Sequence, residues 1–189
     1  MSVEKEKKSN QNSPLSGTGS FLESAVKRLN YYKGLGEKTF AQLDEKDFHF
    51  SPAEECNSIA IIIQHMHGNM LSRWTDFLTS DGEKEWRKRD AEFEDQNFTK
   101  EKLIALWEEG WECFFTAVKP LSEADLTKTI YIRNEPLSVI DAINRQLAHY
   151  PYHVGQIIYA AKILKNKDWQ NLSVPKGQSA LGNELKSNP

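Results

Sequence analysis

Five histidines carry most of the chemistry this chain could do: His49, His65, His67, His149 and His153. Two of them, His149 and His153, stand four residues apart in the segment HYPYHVGQ. On a helix that spacing stacks both imidazoles on one face, about 5–6 Å apart at Cβ. An i, i+4 pair of this kind can clasp one metal ion. The neighbours Leu147, Ala148, Val154, Ile157 and Ile158 are apolar, which places the pair on or beside a core face. Burying imidazoles without partners costs free energy, and a metal or a few hydrogen bonds relieves that cost. Gln146 and Gln156 lie three residues outside the pair, on the same face, and are positioned to contact its rings.

His65 sits within a strongly apolar segment, SIAIIIQHMHGN. It shares a row with Ile61 and Asn69. His67 points about 200° away around the same helix, so the two cannot reach one ion. His49 falls in a connection and is expected to be exposed and without a role. Three neutral imidazoles, His65, His149 and His153, would leave a coordination position open for water or substrate, as catalytic metal sites do. Imidazole suits Zn, Ni, Fe or Cu alike, so the residues call for a divalent ion without choosing it. A cleft over such an ion is expected to be lined by residues such as Asn69, Trp74, Tyr150 or Gln156.

The elements that must position these side chains follow from hydropathy patterning. Ser20 is a plausible N-cap for a first helix carrying Phe21, Leu22, Ala25, Leu29 and Phe40, with Gly34 and Gly36 able to kink it. Asp44 to Cys56 reads as a connection, because Pro52 forbids a long helix. Asn57 and Ser58 can cap a second helix to about Leu78, apolar on most of its circumference and therefore buried. Residues 79–98 form a long charged connection holding Trp86, Phe93 and Phe98. It is either a solvated linker pinned by three aromatics or a lid or partner-contact segment. Thr99 opens a third helix, Lys100 to about Lys119, ended by Pro120. Thr129–Arg133 can form a brief hairpin turning near Asn134. Ser138 with Asp141 opens the last helix, to near Asn166, with Pro151 expected to bend it between the two histidines. Four helices of this length read as an all-α four-helix bundle with long connections.

The chain divides accordingly into a disordered polar tail over 1–19, a bundle domain over 20–166 and a C-terminal extension over 167–189. Its 189 residues carry 24 basic against 27 acidic side chains, a net charge of −3, which argues against a nucleic-acid binder. No apolar run approaches the ~18 residues of a membrane span, and the polar start is unlike a signal peptide. A cytoplasmic protein is expected. Cys56 and Cys113 cannot build a disulfide scaffold. Cys113 reads as a small core residue rather than a nucleophile.

SIAIIIQHMHGN, HYPYHVGQ and the four-helix order together resemble the DinB/YfiT-like superfamily, over about Phe21 to Asn166. The DGEKEWRKRDAEFE stretch looks like that of an uncharacterised subfamily. The resemblance implies a bundle with a three-histidine metal site at His65, His149 and His153, with His67 outside the motif. It also implies, for some members, a metal-dependent transferase acting on a low-molecular-weight thiol such as bacillithiol and an electrophilic small molecule, or an isomerase of similar chemistry. Members are commonly homodimers. With only two cysteines, any thiol chemistry here is expected to use a thiol from outside. The alternative is a metal-binding or stress-response bundle without catalysis, in which the ion staples the helices.

Overall fold

A computed structural model describes residues 20–175, 177 and 178. The expected tail over 1–19 and the chain from 179 onward lie outside the described residues. The fold is essentially all-α, with four long helices, one short one and a small two-stranded sheet.

Helix α1 spans Phe21–Phe40 and starts with a reciprocal cap between Ser20 and Glu23. It runs unbroken through Gly34 and Gly36. Gly36 serves packing. A Cβ there would lie 2.5 Å from the Trp107 ring, so only glycine admits this contact. The connection after α1 contains a single-turn helix, α2 (Glu45–Phe48), ahead of Pro52. Its Asp47 pairs with Lys165 at 2.6 Å, tying this corner to the far end of the chain's last helix.

Helix α3 spans Ile59–Trp74, capped by Ser58. It stops at Trp74 rather than Leu78, because Thr75 is extended and Asp76 takes a positive φ of 48°. Helix α4 spans Lys100–Val118, capped by Thr99, and buries Leu103, Leu106, Trp107, Trp111, Phe114 and Phe115. Strands β1 (Thr129–Ile132) and β2 (Glu135–Ser138) pair antiparallel, with Ile130 opposite Leu137. Their two-residue turn, Arg133–Asn134, has φ of 57° and 63°, the mirror-image geometry that matches strand twist. Helix α5 (Val139–Lys165) is capped by Ser138 and remains helical through Pro151.

The long helices form a ring: α1 against α5, α5 against α3, α3 against α4, and α4 against α1. The middle of the ring is aromatic. Trp74, Trp111, Phe114 and Tyr150 meet edge to face, with centroids 4.9–6.2 Å apart. The Trp74 indole N–H donates to the buried Tyr150 hydroxyl at 3.0 Å. Beyond α5, Trp169 packs on the core and Gln170 exchanges hydrogen bonds with Gln42. No described helix is long and apolar enough to cross a membrane.

Candidate metal centre

Helices α3 and α5 bring His65, His149 and His153 together at one end of the aromatic core. One ligand nitrogen from each lies within 4.8 Å of the others. The rings stand edge to face, with centroids 5.6 Å (His65–His149), 4.9 Å (His65–His153) and 4.7 Å (His149–His153) apart. The turn containing Pro151 thus keeps both α5 histidines on the inner face.

Each ring's orientation has a local cause. His65 Nδ1 donates to the Glu92 carboxylate at 3.0 Å, which leaves its Nε2 as the nitrogen able to ligate. His153 Nδ1 donates to the Gln156 side-chain carbonyl at 2.8 Å, and its Nε2 faces His149 Nε2 at 3.0 Å. Gln156 is itself oriented by donating to the Tyr152 hydroxyl at 3.0 Å. With the Nδ1 proton committed to Gln156, the His153 Nε2 lone pair points at a second ring nitrogen. A neutral His149 protonated at Nε2 can donate into that lone pair, and a cation held by both nitrogens would take the place of that proton. Charging either ring is disfavoured: burial, then the neighbouring imidazoles, lowers His149 from 6.5 to about 3, and burial chiefly lowers His153 to about 4. Both rings are neutral at pH 7, the form that binds a metal, and the donor set fits a divalent cation.

The carboxylate behind His65 comes from the 79–98 connection, which neither proposed reading of that segment had put at the centre. The segment folds over α3 and contains a short 3-10 turn, Asp90–Phe93. Glu92 is part-buried, its side chain only 9% exposed, and it binds Arg87 in a two-pronged pair, at 2.7 and 2.8 Å. Burial raises the Glu92 carboxyl, but the hydrogen bonds and charges of Arg87 and His65 outweigh it, and the group lies below the usual carboxylate range. Gly68 makes the approach possible, since a Cβ there would sit 2.2 Å from the Glu92 carboxylate. Gln64 holds the same segment by donating to the Glu94 carbonyl at 2.8 Å. Phe93 stacks on His65 at 4.8 Å, while Trp86 is exposed rather than a pin.

A cavity of about 240 Å³ opens directly onto His65 and His149. Asn69 and Gln146 border it too. Five arginines make the rest of its wall: Arg73, Arg87, Arg89, Arg133 and Arg145. A larger hollow of about 550 Å³ beside Thr75 and Cys113 lies away from the three-histidine cluster. Burial pushes the Cys113 thiol up, against a nucleophilic role.

The remaining sequence candidates divide by position. Gln156 touches His153. Tyr150 and Trp74 are buried behind the site and do not border the cavity. Tyr150 reaches it only through Asn69, which accepts from the tyrosine hydroxyl at 3.4 Å. His67 pairs with Glu109 on another face. His49, expected to be exposed, is half-buried and binds Asp95 and the Phe98 carbonyl at 2.7 and 3.0 Å, pinning the end of the connection. Sequence reasoning missed Glu92 and all five arginines. Two signals were present. Arg145 precedes His149 by four residues, and the row Ile61–His65–Asn69 extends one turn further to Arg73.

Residues 16–178 match a family model described as a protein of unknown function, DUF1572. No curated protein and no solved structure matches the chain.

Proposed function

The chain belongs to the DUF1572 family, whose function is unknown, and we propose that it is a metal-dependent enzyme of small-molecule chemistry, with a thiol S-transferase as the specific activity. The observation that carries the reading is the convergence of three imidazole nitrogens beside an accessible cavity, with no fourth protein ligand in the cluster among the described residues. The resemblance of SIAIIIQHMHGN and HYPYHVGQ to DinB/YfiT-like sequences supports the thiol assignment.

His65, His149 and His153 would hold the ion, a Zn, Ni or Fe dication. Such an ion supplies Lewis acidity, lowering the pKa of a thiol or water so that its anion is available at neutral pH. The chain's own contributions are positional. Glu92 fixes the His65 tautomer and adds a negative charge behind the ring. Gln156 does the same for His153 without a charge. Phe93 covers His65 and keeps water from that side. The cavity admits the reactants, and neither cysteine lines it, so the thiol comes from outside.

The test is elemental analysis of the protein as purified, beside His65→Ala, His149→Ala and His153→Ala, with thiol consumption measured against a simple electrophile. About one equivalent of metal in the parent, lost in all three variants, is expected. Metal without any thiol consumption would favour the ion as a staple of the bundle over the enzyme. Parent protein with no metal affinity would overturn both readings.

A further inference from the structure

The arginine wall of the cavity is poorly neutralised. Glu83 is shared by three guanidinium groups: Arg73 at 3.1 Å, Arg133 at 3.0 Å and Arg87 at 3.7 Å. Glu92 takes Arg87 and is itself committed to His65. Among the described residues, Arg89 and Arg145 have no carboxylate within ion-pair distance. Two carboxylates therefore face five permanent cations. Part of this wall is held in place. Arg73 is buried and donates to the Gly82 carbonyl as well as to Glu83. The hairpin tip carrying Arg133 is clamped by Asp81, whose carboxylate accepts the Arg133 and Asn134 backbone N–H groups at 2.8 Å each. Arg89 lies over the Phe93 ring, 5.3 Å from its centroid, on the residue that stacks on His65. Fixing like charges around a concave space costs electrostatic free energy, and an anion entering that space relieves it. Guanidinium forks match the oxygens of carboxylates and phosphates in particular.

We propose that this cavity is an oxyanion-recognition site: it binds the carboxylate or phosphate group of a small molecule, through Arg89 and Arg145 with the buried arginines behind them, and so presents the rest of that molecule to the three histidines. The binding half stands on the arginines alone. Only the presentation to a metal rests on the reading of the previous subsection.

The full-length protein would be titrated calorimetrically with inorganic phosphate and, separately, with succinate, at constant ionic strength and with chelator present. Saturable binding of at least one is expected, and which one binds tells phosphate from carboxylate. In Arg89→Gln/Arg145→Gln, binding weakens by about tenfold or more. Both side chains are exposed and without ion pairs, so this variant keeps the parent's melting temperature and serves as a folded control. His153→Ala, whose ring does not line the cavity, keeps anion binding while losing metal, which separates the two readings. Binding that is absent in the parent, or equal in the parent and the double arginine variant, overturns the proposal even if metal binds as expected.

Discussion

The two sides of the histidine cluster are built on different physics. On the α3 side, His65 is held by a buried carboxylate that is itself locked to a buried guanidinium. On the α5 side, His149 and His153 meet through helical spacing, and His153 is steadied by a neutral amide. The first arrangement depends on three elements staying docked. The second depends on little beyond α5. On the reading proposed above, the α5 pair would capture an ion and the α3 side would set how tightly it is held.

Ways to break that comparison rank by expected size. Replacing His149 or His153 with Ala removes a ligand. It should cost more metal affinity than the roughly 10–100-fold typical of losing a ring's outer partner, as read by competition with a chromophoric chelator. Glu92→Ala falls in that 10–100-fold range, but it also leaves Arg87 with only the 3.7 Å contact to Glu83, and removing one partner of such a pair costs up to about 3–5 kcal/mol of stability. Urea unfolding of the metal-free protein would show that loss, whereas Gln156→Ala should lower metal affinity with a far smaller change in midpoint. Equal unfolding midpoints for Glu92→Ala and Gln156→Ala would erase the distinction between the sides.

Acid sharpens it further. His149 and His153 have folded pKa values of about 3 and 4, below the ordinary 6.5. The unfolded chain thus takes up protons on these rings before the folded chain does. Their contribution to stability is complete above about pH 6.5 and declines as pH falls toward 4 and then 3. Metal-free parent should lose urea resistance between pH 6.5 and 5, and a His149→Ala/His153→Ala variant should show a flatter profile there. The smallest effect belongs behind the site. Tyr150→Phe leaves the Trp74 indole N–H without its acceptor, costing about 1–3 kcal/mol while metal affinity stays near that of the parent.

Much of the frame was legible because its signals are local. Ser20, Ser58, Thr99 and Ser138 each sit where a cap was expected, and all four receive a backbone N–H from three residues on. The hairpin at Asn134 and the apolar faces of α3 and α4 follow from the same short-range rules. The α5 histidines were legible for that reason too. Glu92 was not, since nothing in a run of alternating acids and bases marks which carboxylate turns inward. That choice is made by Gly68 on another helix, whose missing side chain leaves the space. The arginines were hidden likewise: Arg133 matters because Asp81, far away in the chain, grips its turn. Capping chemistry at Asp76 and Thr75 ended α3 a turn early, although the apolar pattern ran on to Leu78.

The separations along the chain carry one more consequence. His149 and His153 are neighbours four residues apart, His65 waits on a contact across 27 residues, and the Asp81 clamp on the hairpin spans 53. Closing longer loops comes later in folding, because their entropy must be spent before the contact returns anything. By this measure the α5 pair comes with the helix itself, the Glu92 contact and the Asp81 clamp follow, and the docking of His65 against His149, 84 residues away, comes last. Refolding in the presence of metal would then begin from a two-point grip on α5 and be completed when His65 arrives.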